Sequence, residues 1–191
     1  GIMSINNFLE SFIKRESLFK NKGALQSSYI PEEIPHRDEQ MALIAKVLAP
    51  CLRMERPSNL FIYGKTGSGK TLTVQNTTKQ IEFIAKREQI PVKFIYINCK
   101  LKKVADTEYR IIAEITRFFG REIPPTGLPT DEVYKIFYRT IERENQVIIL
   151  ILDEIDQLVK KIGDEIIYNL TRINTELKNS KLGIIGISND V

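Results

Sequence analysis

Gly64-Lys65-Thr66-Gly67-Ser68-Gly69-Lys70-Thr71 matches the pattern G-x-x-x-x-G-K-[ST] of phosphate-binding loops. Glycines let the backbone turn tightly, so that successive N–H groups point at phosphate oxygens, and the positive end of the next helix favours anions. We expect Lys70 to reach the β- and γ-phosphates of a nucleotide, the Thr71 hydroxyl to ligate Mg²⁺, and Leu72 to complete the nucleotide-contacting set. The motif needs a strand before it and a helix after it, and the sequence predicts these at 59–63 and 71–88. The alternative is a surface turn rich in glycine and serine.

The most apolar stretch of the chain, Val147 to Leu152, ends in Asp153-Glu154. It lacks the alternation of a half-exposed strand, which predicts a central parallel strand covered on both faces. Two carboxylates at the end of a buried strand need a reason, and a metal ion with a water nucleophile supplies one. Asp153 is then expected to hold the Mg²⁺ shell and Glu154 to act as the general base on the attacking water. The alternative is the acidic start of a helix.

Strands and helices alternate along the rest of the chain. Further strands are predicted at 92–99 and 181–187, and further helices at 38–54, with a break at Pro50, and at 107–119, 130–145 and 164–177. This alternation predicts an α/β fold with a parallel, doubly wound sheet and helices on both faces. Its ligand site lies beyond the carboxyl ends of the strands. Asn189 follows the last predicted strand there and is expected to contact the γ-phosphate or the attacking water, unless it belongs to a plain turn.

Composition sets wider limits on the class of protein. The 191 residues carry a formal net charge of +4, and 42% of them are hydrophobic, which suits one globular domain. No apolar run approaches the length of a membrane span. Cys51 and Cys99 lack metal-ligand spacing, which favours a reducing intracellular setting. Segment 4–22 is predicted as an amphipathic helix with a basic end, either an arm packed on the core or a tail that touches DNA.

Four segments, in this order and spacing, resemble archaeal replication initiators, the AAA+ ATPases of the origin-recognition-complex and cell-division-cycle-six type. The segments are Tyr29-Ile30-Pro31 with Pro35-His36-Arg37, then Gly64 to Thr71, then Leu152 to Asp156, then Gly186 to Asp190. The phosphate-binding loop is generic, whereas Pro35-His36-Arg37 and Ser188-Asn189-Asp190 are much more specific. The resemblance covers nearly the whole chain.

The resemblance implies a P-loop AAA+ ATPase core that ends before the fifth strand and the helical lid of the family. Residues 1–27 would be an N-terminal helical arm and 28–191 a partial ATP-binding core, with an initiator-type insertion at about 101–130. Asn189 would be the sensor-one residue, and ATP or ADP with Mg²⁺ the ligands. The family places the P-loop strand between its fourth and fifth strands, so that strand is expected at a sheet edge here, which is a liability.

The same resemblance implies further contacts, to adenine and to DNA. Tyr29, Ile30, His36 and Arg37 are candidates to border the adenine, although spacing alone equally allows a surface loop. In the family the insertion approaches DNA, so its basic residues and proline-rich loop are DNA candidates, with a solvated basic face as the alternative. These DNA candidates are Lys100, Lys102, Lys103, Arg110, Arg117, Arg121, Thr126, Gly127 and Leu128.

The implied function is DNA replication initiation, by an ATPase that binds ATP, hydrolyses it slowly, and uses its nucleotide state to control origin DNA binding and helicase loading. The implied partners are double-stranded origin DNA, related initiator subunits and the replicative helicase, in the cytoplasm at the nucleoid and not at a membrane. Without lid and winged-helix domain, turnover and DNA affinity are expected to be impaired. One alternative is a non-initiator AAA+ or signalling P-loop NTPase that remodels proteins. A second is a binding module locked on ADP.

Overall fold

Five parallel strands form the single sheet of a computed structural model, which describes residues 27–31, 37–65, 69–101 and 107–189. The order across the sheet is β1-β2-β5-β4-β3. The strands are β1 Ser27–Pro31, for which only the backbone is described, β2 Asn59–Tyr63, β3 Val92–Asn98, β4 Gln146–Asp153 and β5 Ser180–Ser188. The arm predicted over 4–22 lies outside the described residues.

Helices cover both faces of this sheet. They are α1 Arg37–Leu48, α2 Lys70–Arg87, α3 Glu108–Arg117, α4 Thr130–Ile141, α5 Ile155–Ile162 and α6 Glu165–Ile173. Side chains of α1 and α2 pack on one face, and those of α3 to α6 pack on the other. The α/β fold class with a doubly wound parallel sheet is therefore confirmed. No helix within these described stretches is both long enough and apolar enough to cross a bilayer.

The centre of the sheet explains its most apolar sequence. All eight residues of β4 are buried, because β3 and β5 flank this strand and helices cover both of its faces. β5 lies between β4 and β2, and eight of its nine residues are buried. Helix 38–54 breaks near Pro50 as predicted, since α1 ends at Leu48 and a 3-10 helix Ala49–Arg53 follows.

Two sequence-based expectations are wrong. β2 was expected at a free edge, but β1 pairs with it in parallel, from Ser27 opposite Asn59 to Pro31 opposite Tyr63. A proline is tolerated in β1 because that strand lies at the edge, where one missing N–H breaks no central ladder. Helix α5 was not predicted as a separate element. Its eight residues bury Ile155 and Leu158 directly after the acidic pair, and α6 follows after a two-residue break.

Glu142 fixes the point at which the chain enters β5. It follows α4, and its carboxylate accepts hydrogen bonds from the backbone N–H groups of Lys178 at 2.7 Å, Asn179 at 2.8 Å and Ser180 at 2.9 Å. Burial alone would raise the pKa of Glu142, but these backbone donors outweigh burial and hold the pKa below its ordinary value. The carboxylate thus fastens the loop before β5 to the end of α4.

Replacing Glu142 with Gln should lower the free energy of unfolding at pH 7 by about 1–2 kcal/mol, because a charged acceptor is lost from three hydrogen bonds. A lowered folded-state pKa contributes stability above the unfolded-state pKa of about 4.3 and loses it as the pH falls through the folded-state value. Urea unfolding at pH 7 and at pH 4 checks this. The difference between Glu142→Gln and the parent should shrink at pH 4, and the exposed neighbour variant Glu144→Gln should show neither effect.

Candidate functional site

The parallel register brings the carboxyl ends of β2, β4 and β5 to one edge. Tyr63 of β2 pairs with Ser188 of β5, and Asp153 of β4 pairs with Ile187 of β5. The N–H of Gly64 donates to the carbonyl of Ser188 at 3.2 Å, which ties the start of the phosphate-binding loop to the end of β5. The three sequence motifs therefore meet at one place, as the sequence predicted.

Lys70 lies inside the loop that it is expected to serve. Its side chain is buried, and Nζ donates to the carbonyl oxygens of Gly64 at 2.9 Å and Lys65 at 2.7 Å. Gly69, with a φ of 84°, occupies the left-handed region just before α2, a conformation that glycine adopts without steric cost. Leu72 is half exposed on α2. Thr66, Gly67 and Ser68 lie outside the described residues.

A chain of hydrogen bonds joins the phosphate-binding helix to the acidic pair. The Thr71 hydroxyl donates to Oδ2 of Asp153 at 2.8 Å, and the backbone N–H of Glu154 donates to Oδ1 of the same carboxylate at 2.8 Å. Nδ2 of Asn189 donates to Oε1 of Glu154 at 3.3 Å. Asp153 is 4% exposed, so a carboxylate is held in the protein interior next to the loop. The residues named from the sequence are thus in direct contact.

Sequence reasoning missed one member of this cluster. The Tyr96 hydroxyl donates to Oδ2 of Asp153, although the two residues are 57 positions apart in the sequence. Tyr96 is on β3, where Asn98 pairs with Asp153, so Tyr96 lies diagonally across from the carboxylate. The sequence does place a tyrosine two residues before the end of β3. Its proximity to Asp153 can be predicted only if β3 is known to lie next to β4 in the sheet.

The backbone at Glu154 is strained. This residue has φ 54° and ψ 44°, in the left-handed region that non-glycine residues rarely adopt. Such a conformation costs about 1–2 kcal/mol for a residue with a Cβ atom. Residues of this kind persist only where the surrounding structure fixes them, and they cluster at functional sites. Here the turn sends the chain from β4 into α5 and leaves the Glu154 side chain beside Asn189.

The oxygen atoms at this edge suit a small divalent cation. The Thr71 hydroxyl commits its proton to Asp153, which leaves its oxygen lone pairs available to a metal ion. Mg²⁺ prefers such oxygen ligands and is usually bound by one or two protein groups together with phosphate oxygens and water. No group of three or more His, Cys, Asp or Glu residues able to hold a metal occurs in the described part of the chain. The ligand set therefore fits a cation that arrives with a nucleotide.

Arg37 is placed against the phosphate-binding loop. A Cβ atom added to Gly69 would lie 2.9 Å from Nη2 of Arg37, so the guanidinium group covers the start of α2. Tyr29 and Ile30, two predicted adenine contacts, lie on β1 and pair with Phe61 and Ile62 of β2. Only the backbone of these two residues is described. His36 also lies outside the described residues.

The predicted DNA contacts fall into two groups that the structure does not bring together. Thr126, Gly127 and Leu128 form a groove of about 400 Å³ with the start of α3, including Thr107 and Arg110. Arg117 is at the other end of α3, about 15 Å along a ten-residue helix.

Arg117 forms an ion pair with a residue on the same helix. It is paired with Glu114 at 2.5 and 3.1 Å. The hydrogen bonds and charge of Glu114 raise the pKa of Arg117, so its charge is already compensated. Arg121 follows nearby and is exposed. Lys102 and Lys103 lie outside the described residues, whereas Lys100 donates its N–H to Oδ1 of Asn98 at 2.9 Å.

A second cleft, of about 440 Å³, lies between α3, α4 and α6. Its polar residues hydrogen-bond to one another: Tyr134 and Asn169 both donate to Oε1 of Glu108, the latter at 2.8 Å. The cleft shares no lining residue with the strand edge that carries the motifs. We therefore place the candidate site at the strand edge, where the sequence motifs meet.

A family model described as an AAA domain matches residues 53–187, and the chain belongs to this family. Its sequence is similar to ORC1-type DNA replication proteins. The one from Pyrococcus furiosus is 48% identical over 193 residues, which cover 99% of this chain and 45% of that protein. The resemblance to replication initiators that the motifs indicated is thereby confirmed.

Solved structures agree with the sequence comparison. The Aeropyrum pernix ORC1 protein in complex with DNA has a TM-score of 0.73 and 35% identity, covering 93% of this chain and 43% of that one. The Aeropyrum pernix ORC2 protein, in ADPNP–ADP complexes, has a TM-score of 0.67 and 27% identity over 93% of this chain and 45% of that one. The present chain spans less than half the length of these proteins.

The strain at Glu154 yields a test that is independent of any ligand. Glu154→Asn should be more stable than Glu154→Gln by about 0.5–1 kcal/mol, because asparagine tolerates the left-handed region better than residues with longer side chains. Both variants remove the carboxylate, so Gln controls for the loss of charge. Urea unfolding of the two variants side by side measures the difference. Equal stability would show that the local backbone relaxes at no cost.

Proposed function

We propose that this chain is the nucleotide-binding core of a DNA replication initiator, which binds ATP with Mg²⁺, hydrolyses it slowly, and uses its nucleotide state to control origin DNA binding. The observation that carries the proposal is the contact between the three motifs at one strand edge, with Thr71 bonded to Asp153 and Asn189 bonded to Glu154. The similarity to ORC1-type DNA replication proteins supports the initiator over an AAA protein with another role.

Nucleotide binding begins with an exchange of hydrogen bonds at Lys70. The ammonium group donates to the Gly64 and Lys65 carbonyls, and phosphate oxygens offer stronger, charge-assisted acceptors at the same place. The start of α2 adds its backbone N–H groups and its positive dipole end. Arg37, lying over Gly69, brings a second positive charge toward this position. We assign the triphosphate to this cradle, with Tyr29, Ile30 and His36 as the proposed border of the adenine.

Hydrolysis requires a water molecule placed in line with the γ-phosphate. Glu154 is the proposed general base. The side-chain amide of Asn189, whose Nδ2 lies 3.3 Å from Oε1 of Glu154, is proposed to contact the attacking water or the γ-phosphate. When bound, Mg²⁺ neutralises charge on the phosphate oxygens. Thr71 and Asp153 would hold it, Asp153 through water.

The insertion, at about 101–130, is the proposed DNA-contacting part. Arg110 and the Thr126–Leu128 loop share a groove at the start of α3. The partners that we propose are double-stranded origin DNA, related initiator subunits and the replicative helicase, met in the cytoplasm at the nucleoid. Phosphate contacts by arginine and lysine would supply most of the affinity of this chain for DNA.

Two variants test the nucleotide chemistry. Glu154→Gln should retain ATP binding and lose hydrolysis by about 10²- to 10⁴-fold, the usual contribution of a general base. Lys70→Ala should weaken ATP binding about 10- to 100-fold, because hydrogen bonds to charged groups contribute about 1.5–3 kcal/mol. Filter binding and phosphate release measure the two quantities. Lys79→Ala, an exposed lysine on the same helix, is the matched control. Unchanged hydrolysis in Glu154→Gln would contradict the mechanism and favour a module locked on ADP.

Two arginines on α3 test the DNA surface. Arg110→Ala should lower the affinity for duplex DNA and reduce the slope of log K against log salt by about 1, the effect of losing one phosphate contact. Arg117→Ala should change both much less, because Arg117 lies at the other end of α3 and does not line the groove. Fluorescence anisotropy with a labelled duplex at several salt concentrations gives both quantities. A larger effect at Arg117 would place the DNA surface at the other end of the helix.

A further inference from the structure

Tyr96 connects β3 to the proposed metal-binding aspartate, and none of the recognised motifs includes it. Its ring lies in a cleft beside α2, with Phe94 and Ile151 among the lining residues, and the side chain is only partly exposed. Its hydroxyl donates to Oδ2 of Asp153. The Tyr96 side chain therefore joins the packing beside α2 to the carboxylate at the strand edge.

The hydrogen-bonding capacity of Asp153 shows what Tyr96 changes. An ionised carboxylate offers about four lone-pair positions. Within the described residues, Thr71 and Tyr96 both donate to Oδ2, and the N–H of Glu154 donates to Oδ1. These donors occupy both positions on Oδ2 and one on Oδ1. The acceptor position that they leave is on Oδ1.

Tyr96 also restricts how Asp153 can rotate. Without Tyr96, the Thr71 hydroxyl and the N–H of Glu154 would hold the carboxylate, one on each oxygen; with Tyr96, donors from α2, β3 and the start of α5 hold it from three directions. Burial, followed by the hydrogen bond and charge of Asp153, raises the pKa of Tyr96 well above its ordinary value. Three donors from separate elements therefore fix the orientation of the carboxylate.

We propose that Tyr96 is a positioning residue for the cation of this site: its hydroxyl fixes the Asp153 carboxylate so that Oδ1 presents its remaining lone pair to a water molecule of the Mg²⁺ shell. This inference rests on the proposed nucleotide-binding function and concerns the same site. Partners that orient metal-ligating carboxylates typically change metal affinity about 10- to 100-fold when they are removed.

The test measures Mg²⁺ linkage to nucleotide binding, with no need for turnover. A fluorescent ATP analogue is titrated into the protein in a chelator and then at increasing Mg²⁺. Tyr96→Phe should leave the dissociation constant in chelator unchanged and raise the Mg²⁺ concentration at half effect about 10-fold or more. Tyr138→Phe, which removes a hydroxyl bonded to the Glu176 carbonyl at 3.0 Å on a different face, is the matched control.

A double variant separates positioning from packing. In an Asp153→Asn background, Tyr96→Phe should cause no further shift in Mg²⁺ dependence, because the two residues act as one unit. An additive shift, an unchanged Mg²⁺ midpoint in Tyr96→Phe, or an equal loss of binding with and without Mg²⁺ would overturn the inference. Parent protein that fails to bind nucleotide at all would instead overturn the proposed function.

Discussion

The register of the parallel sheet is the constraint on which the site depends. β5 lies between β2 and β4, and its pairing aligns Tyr63 with Ser188 and Asp153 with Ile187. Because side chains alternate between the two faces, a slip of one residue would turn Asp153 away from α2 and break its hydrogen bond to Thr71. Gly186 permits the close packing of this region: a Cβ atom there would lie 2.7 Å from Cδ1 of Phe61 and 3.0 Å from Cδ1 of Ile155. The absence of a side chain at position 186 of β5 thus leaves room for Phe61 of β2 and Ile155 of α5.

Burial of charge at this edge is compensated in advance of any ligand. The side chains of Lys70 and Asp153 are both almost fully buried, and isolated charges in such positions are unfavourable. Carbonyl oxygens of the loop accept from Lys70, while hydroxyl and N–H donors surround Asp153. The two charged groups are therefore held in place at the proposed nucleotide site by hydrogen bonds from the protein itself. Strain at Glu154 is the local cost of this arrangement, since the turn into α5 must begin immediately after Asp153.

Sequence patterns located the strand edge but not every residue that acts there. The loop at Gly64–Thr71 and the acidic end of β4 are local signals, and parallel topology brings their positions together. Tyr96 gave no such signal, because its role depends on β3 lying beside β4 in a particular register. The neighbour of β2 was missed for a different reason. Pro31 and Pro35 follow Ser28, and proline is excluded from central strands, whereas an edge strand of five residues is compatible with it. Helix α5 was not predicted, although Ile155, Leu158, Val159 and Ile162 recur at the spacing of an amphipathic helix.

The edge strand β1 brings the segment that follows it, including Arg37, to the edge of the sheet that carries the candidate site. β1 runs parallel to β2, so both strands deliver the following chain to the same edge of the sheet. After β2 the chain forms the phosphate-binding loop, and after β1 it reaches Arg37 at the start of α1, whose guanidinium group lies against Gly69. A side chain at position 69 would occupy the space that Arg37 uses, so glycine there satisfies both the left-handed backbone and this contact. The pairing of β1 with β2 therefore gives a physical reason for Arg37, far upstream of the loop, to lie at the proposed nucleotide site.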